Sequence, residues 1–236
     1  MIIFWRLAAA HLLADFTLQT NLINRLKRRS RWGLVLHCLT HLAMYLLFTW
    51  NYLNMFWVNY DSVKIKGWVC LIVITLLHYL QDHWRVFTIT RYHTKDGTLH
   101  FLWDQFVHFG ILFAFSPVLG FTFNGDFFPE KWVVLISAFV LISHAGTILI
   151  YFIEKDTYGA SFPADHAKYL GMGIRIVLWL FFLIPGLAWL PFVAAWAGYA
   201  VYLKKRRLVD FSRMGFYLGM TMTVTVGIIS HLICYG

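Results

Sequence analysis

Residues 2–20 read IIFWRLAAAHLLADFTLQT, an apolar run in which His11 and Asp15 stand four positions apart. A helix of this length spans about 28 Å, close to the thickness of the hydrocarbon core of a bilayer. The run has no clear small-residue cleavage site before the arginine cluster that follows it. We therefore predict a retained transmembrane helix and not a signal peptide. We expect the polar side chains inside it to have a function, because placing each of them in lipid is energetically unfavourable.

The composition extends this interpretation to the whole chain. Of its 236 residues, 60% are hydrophobic, 19% are aromatic and only 13% are charged, whereas soluble domains carry about 25% charged residues. The mean hydropathy is +0.64. These values exclude a typical cytosolic enzyme, a disordered tail and a secreted disulfide scaffold.

We predict an all-α fold, a polytopic transmembrane helical bundle of about eight spans. The predicted spans cover residues 2–20, 33–55, 66–83, 101–119, 131–153, 169–186, 188–203 and 213–234. We expect one integral membrane domain over residues 1–236. Residues 1–119 would form a four-helix half that carries the site, and residues 120–236 would supply supporting helices.

Charge predicts the orientation of the spans. The chain has a formal net charge of +9, and its Lys and Arg residues concentrate in alternate loops, at 21–32, 84–99, 154–168 and 204–213. Short loops rich in Lys and Arg stay in the cytoplasm. We therefore expect both termini on the non-cytoplasmic side and membrane lipids as partners, with no nucleic-acid partner. The oligomeric state is left open.

Four polar pairs with one common spacing fall in the first four predicted spans. They are His11 and Asp15, His37 and His41, His78 and Asp82, and Asp104 and His108. A spacing of four residues puts both side chains of a pair on one helix face, one turn apart. Because successive spans run in opposite directions, all four pairs are expected at one depth, near the cytoplasmic face.

Eight ionisable side chains at one depth predict a divalent metal centre with these residues as ligands. Mixed imidazole and carboxylate donors suit Zn, Mn or Fe. Cys38, Cys70 and Cys234 lie in apolar runs without a CxxC pair, which argues against a closed structural zinc site. Eight donors exceed the needs of one tetrahedral ion, so either two ions share them or some act outside the coordination sphere.

Further residues are candidates for catalysis and substrate binding. Asp15, Asp82 and Asp104 are each candidates for the general base. Gln19 and Gln105 lie within one turn of the pairs, as substrate contacts or as polar caps. Arg175, in the sixth predicted span, could hold an anionic group such as phosphate or extend to the interface.

The leading functional hypothesis is a membrane-embedded metal-dependent hydrolase that acts on an amphipathic or lipid-linked substrate at the cytoplasmic leaflet. A divalent metal cation transporter is an alternative, although the outer halves of the first four spans are almost wholly apolar. A di-iron membrane oxygenase would favour more closely clustered histidines. A structural membrane subunit, with a polar network that only joins helices, is the fourth possibility.

The segments HLLADFTLQ (11–19) and DQFVH (104–108), with His37, His41, His78 and Asp82 between them, resemble one known family. This is the bacterial multi-pass membrane domain of unknown function numbered 3307, which is similar over the first 110 or so residues. The resemblance implies a polytopic inner-membrane protein with these polar positions as its signature. It implies no established activity.

Overall fold

Helices dominate the computed structural model, which describes residues 1–117, 129–209 and 211–236. The predicted all-α class is confirmed. The chain divides into two compact units, Met1–Val133 and Val134–Gly236. The predicted boundary between residues 119 and 120 lies outside the described residues.

Over the residues described, the first unit contains five helices, a small hairpin and the beginning of a sixth helix. In chain order these are α1 (Ile2–Leu12), a π-helical turn (Leu13–Leu18), α2 (Asn21–Arg29), α3 (Arg31–Thr49), a 3-10 turn (Trp50–Tyr52), β1 (Phe56–Tyr60), β2 (Val63–Lys66), α4 (Gly67–Arg91), α5 (Thr98–Ala114) and the first residues of α6. Side chains cap two of the helices: Thr20 accepts from the Ile23 amide, and Ser30 accepts from the Gly33 amide.

The small hairpin formed by β1 and β2 joins α3 to α4 and is not expected from the predicted all-α class. β1 and β2 pair antiparallel, from Phe56 opposite Lys66 to Tyr60 opposite Val63. Aromatic and β-branched residues in this segment favour strands, and Asp61 accepts the left-handed turn conformation with φ of 48°. Trp57, on β1, is buried, and its indole Nε1 donates to the Tyr52 carbonyl at 2.9 Å.

The second unit is entirely helical over the residues described. It contains most of α6 (Lys131–Val140), a π-helical turn (Leu141–Ala145), α7 (Gly146–Tyr158), α8 (Asp165–Phe182), α9 (Trp189–Lys205) and α10 (Arg213–Tyr235). A tight turn around Pro185 joins α8 to α9, with Gly186 at φ of 66°. Trp179 ties α8 to α10 through a hydrogen bond from Nε1 to the Ser230 hydroxyl at 3.1 Å.

Three helical stretches in the described part of the chain are long and apolar enough to cross a membrane. They are Arg31–Tyr52, Lys131–Tyr158 and Arg213–Tyr235. These stretches support membrane association and fall short of the eight predicted spans. Helices α5 and α9 have only 17 residues each, which corresponds to about 26 Å.

Close packing between α2 and α3 yields a first prediction. A Cβ at Gly33 would overlap the backbone carbonyl of Leu26, so Gly33→Val should destabilise the first unit by about 1–3 kcal/mol. Thermal unfolding in detergent, followed by tryptophan fluorescence, measures this effect. The control is Gly110→Ala, since a Cβ at Gly110 meets nothing within 4 Å. An equal fall in the melting temperature for both variants would contradict the assignment.

Candidate metal centre

The side chains of all four predicted pairs are buried in the first unit. α1 and its π-helical turn, α3, α4 and α5 each contribute one pair, and together they form what we call the His/Asp cluster: His11, Asp15, His37, His41, His78, Asp82, Asp104 and His108. Asp15 is the most accessible member, at 8% exposure, and the others are at 2% or less. Groups with this burial are destabilising unless they are paired or bind a ligand.

One cluster residue lies on irregular backbone. The spacing predicts α-helical geometry from His11 to Asp15, but the backbone widens into a π-helical turn from Leu13 onward. Both side chains still meet, with 3.3 Å between His11 Nε2 and Asp15 Oδ2. Single π-helical turns are frequent at functional sites.

A first group of possible ligands centres on Asp15. Its Oδ1 lies 3.2 Å from Nε2 of His37 and 3.2 Å from Nε2 of His41. His78 Nε2 lies 3.4 Å from His37 Nε2. Each of these four residues offers one donor atom, and the four donor atoms lie within 4.8 Å of one another.

A second group consists of His78, Asp82 and His108, which meet the same 4.8 Å limit. Asp82 Oδ2 lies 3.5 Å from His78 Nε2, and Asp82 Oδ1 lies 3.8 Å from His108 Nε2. Asp82 Oδ2 is also 3.1 Å from His37 Nε2. The two groups therefore share His78 and adjoin through His37.

His11 and Asp104 belong to neither group and lie at their edges. The Nδ1 atom of His11 is 3.2 Å from the Tyr45 hydroxyl. Asp104 Oδ1 is 3.6 Å from His108 Nε2, and its Oδ2 accepts a 2.6 Å hydrogen bond from Arg85. The structure thus separates six possible metal ligands from two flanking residues.

The donor atoms fit a divalent metal ion. Ligands about 2.1 Å from a tetrahedral ion lie about 3.4 Å from one another, and the shorter contacts in the cluster fall at 3.1–3.5 Å. The Nε2 atoms of His11 and His108, and Oδ1 of Asp104, are buried and have no hydrogen-bond partner among the described residues. Buried polar atoms of this kind are available to bind a ligand such as a metal ion.

Two cations that the sequence analysis did not select adjoin the cluster. Lys27, on α2, places Nζ 3.3 Å from Asp82 Oδ2, and Arg85 donates to Asp104. From the sequence alone, both residues indicate only the orientation of basic loops. The helical spacing could have revealed Arg85, which stands three residues after Asp82. The same spacing rule could have revealed Tyr45, which follows His41 by four residues.

The three residues predicted to bind substrate differ in the groups that they contact. Gln105 donates from Nε2 to Asp15 Oδ2 at 3.2 Å and so touches the cluster. Gln19 is half-buried, and its Oε1 has no hydrogen-bond partner in the described ranges. Arg175 belongs to the second unit, where it donates to Gly171, Ser143 and Thr147.

Asp96, in the loop before α5, extends this network outward. Arg85 Nη2 donates to its Oδ1 at 3.0 Å, and Arg28 Nη2 donates to its Oδ2 at 3.1 Å. Burial alone would raise the pKa of Asp96, but the two guanidinium groups outweigh it and hold the pKa below its ordinary value. Asp96 thus anchors α2 and α4 beside the cluster.

The lowered pKa of Asp96 predicts a pH-dependent stability. The stabilisation is complete above the unfolded-state pKa, about 3.9, and is lost as the pH falls through the lower folded-state pKa. Asp96→Asn should therefore cost about 1 kcal/mol at pH 7 and progressively less below pH 4. Melting temperatures of both proteins at pH 7 and pH 3 measure this. An equal difference at both pH values would refute the role of the carboxylate charge.

Comparison with known proteins identifies the family. The family described as a protein of unknown function, DUF3307, matches residues 3–136, a range that includes the whole His/Asp cluster. No curated protein and no solved structure matches the chain. Because the matched range covers more than half of the sequence and the predicted resemblance is confirmed, the chain belongs to the DUF3307 family.

Proposed function

We propose that this protein is a membrane-embedded metal-dependent hydrolase that acts on an amphipathic, phosphate-bearing substrate. The observation that carries the proposal is the pair of adjoining donor groups that share His78. Adjoining sites for two ions are typical of enzymes that hydrolyse phosphate esters. An uncharged structural network would not require so many carboxylates in a buried position.

The donor chemistry favours zinc, manganese or iron. Imidazole and carboxylate donors suit all three ions, and neither donor group includes a thiol. Metal ions bound here would supply a Lewis acid and lower the pKa of a bound water molecule. Asp15 and Asp82 serve as ligands in this proposal because each belongs to a donor group.

Asp104 is the best-placed general base. It lies outside both donor groups, and its Oδ1 is buried without a hydrogen-bond partner in the part of the chain described. Arg85 holds the other carboxylate oxygen at 2.6 Å and so fixes the side-chain orientation. A positioned carboxylate beside the ions can accept a proton from an attacking water molecule.

Lys27 and Arg85 favour an anionic substrate. Both cations contact cluster carboxylates directly. A phosphate group could replace a carboxylate in these contacts and accept charge-assisted hydrogen bonds from the same cations. Lys27 lies on α2, which carries exposed Leu22 and Leu26 together with several arginines. This amphipathic pattern suits a helix at the membrane surface, where a lipid substrate would be reached.

An apolar layer on the other side of the cluster favours an enzyme over a transporter. One turn from the cluster on α1, α4 and α5 lie Leu7, Ile74 and Leu112, each no more than 1% exposed. A transport path would need polar groups in this layer. The charged residues Lys27, Arg85 and Asp96 lie at the opposite end of the cluster.

We also propose the eight-span arrangement, in an inner membrane, with both termini on the non-cytoplasmic side. The support is the concentration of Lys and Arg in alternate loops. In this arrangement Lys27 and Arg85 face the cytoplasmic leaflet. The substrate would therefore enter from that leaflet, with membrane lipids as neighbours.

Metal content gives the first test. Protein purified in detergent without a chelating tag should contain about one to two equivalents of a divalent metal by inductively coupled plasma mass spectrometry. His78→Ala should lose most of it, because His78 belongs to both donor groups. His83→Ala, an exposed histidine on the same helix, should keep it. Metal below about a tenth of an equivalent in the wild type would overturn the metal proposal.

Hydrolysis gives the second test. The metal-loaded protein should release phosphate from a bacterial lipid extract, and Asp104→Asn should lower the rate about 100-fold or more while keeping its metal. Asp61→Asn, in the hairpin turn, should keep full activity. Metal uptake into proteoliposomes without phosphate release would reject the hydrolase and favour the transporter.

A further inference from the structure

The second unit contains a cavity of its own, of about 130 Å³. Residues of α7, α8 and α10, together with the segments just before α8 and α10, line it. All of its lining residues lie outside the range that the family match covers. Nothing in the proposed hydrolase chemistry depends on this cavity.

The deep end of the cavity holds a buried cation. Arg175 is 6% exposed. Its Nε donates to the Gly171 carbonyl at 3.2 Å, and its Nη2 donates to the Thr147 hydroxyl and the Ser143 carbonyl. Nη1 has no hydrogen-bond partner, and no acidic side chain pairs with Arg175, among the residues described. A buried guanidinium without a counter-ion indicates an anionic ligand.

The other end of the cavity holds an acid. Glu154 follows Thr147 by seven residues on α7 and so lies about 10 Å further along the helix. One of its carboxylate oxygens accepts a hydrogen bond from the Ser212 hydroxyl. Lys168 also lines the cavity, but its Nζ is bound to Asp165 at 2.7 Å. The cavity therefore presents one cation at its deep end and one acid at its outer end.

Small residues lie beside these charges and line the cavity. Gly171, Gly215 and Gly219 line the cavity, with the apolar side chains of Ile150 and Phe216 between them. A Cβ at Gly219 would come within 3.3 Å of the Arg175 Cδ. A Cβ at Gly171 would meet only the Phe211 ring, at 3.4 Å, so a larger side chain there would extend into the cavity.

We propose that this cavity binds a zwitterionic head group, a phosphate joined to a primary amine by two carbons. The phosphate would accept from Arg175 Nη1, and the ammonium group would donate to Glu154. Such a group carries one charge of each sign, which matches the buried cation and the acid that line the cavity. The volume suits a head group without acyl chains, so the chains of a phosphatidylethanolamine would remain in the bilayer.

The position of the charges agrees with the orientation of a lipid. The acid lies toward the end of α7 and the start of α10, beside the basic loops 154–168 and 204–213. The amine of a bilayer lipid would face those loops, and its phosphate would lie deeper. Leu170 on α8 and Tyr217 on α10, each about half exposed, offer an apolar surface for the chains.

Native mass spectrometry of the full chain in detergent tests the proposal. Phosphatidylethanolamine should bind at least about tenfold more tightly than phosphatidylglycerol. Arg175→Gln should weaken phosphatidylethanolamine binding by about tenfold or more, and Glu154→Gln should remove the preference for the amine. Arg213→Gln, an exposed cation at the same end of the unit, should bind like the wild type. Equal binding of both lipids by the wild type would overturn the proposal.

If Arg175→Gln does not fold, a variant that fills the cavity still tests the proposal. Gly171→Leu retains the guanidinium, and it should still weaken lipid binding by about tenfold. Unchanged lipid binding in this variant would refute the cavity as the site. Free phosphoethanolamine that binds as tightly as the lipid would reject a lipid source. Metal content should stay unchanged in all these variants, which separates this proposal from the proposed hydrolase.

Discussion

Neutralising three buried carboxylates is the constraint on which the first unit depends. Asp15, Asp82 and Asp104 lie among five imidazoles with almost no contact with solvent. Lys27 and Arg85 each balance one carboxylate directly. The remaining negative charge must be met by a proton or by a metal ion, because an unpaired buried carboxylate is strongly unfavourable. A centre with two divalent ions would become positively charged, and it would then attract an anionic substrate.

Both units place irregular helical backbone next to their buried polar groups. In the first unit a π-helical turn carries Asp15, and in the second a π-helical turn carries Ser143, whose carbonyl accepts from Arg175. A π-helical turn changes which backbone N–H and C=O groups lack a partner within the helix. It also rotates the side chains that follow it toward a different side of the helix. A regular helix in the same place could be buried through apolar contacts alone. The widened turns therefore mark the places where the fold accommodates polar chemistry in an apolar interior.

Much of the candidate site could be predicted from single helices. The spacing of four residues in each pair is a property of one helix, and the structure brings all eight side chains together as that spacing suggests. The contact of Lys27 with Asp82 could not be derived in this way, because it depends on how α2 packs beside α4. The hairpin was missed because its aromatic residues also suit a membrane interface. Arg175 is a candidate from the sequence for anion binding or for extension to the interface, and its hydrogen-bond partners lie in the second unit.

By itself, the sequence determined the helical class, the apolar character that supports membrane association, and the residue types available for metal binding. These follow from composition and from periodicity along one segment, which are local properties. Only the tertiary structure decided which donors form each group, which cations balance the carboxylates, and where Arg175 meets a cavity. Such relations join residues far apart in the chain, so they depend on helix packing and on the fit of side chains between helices.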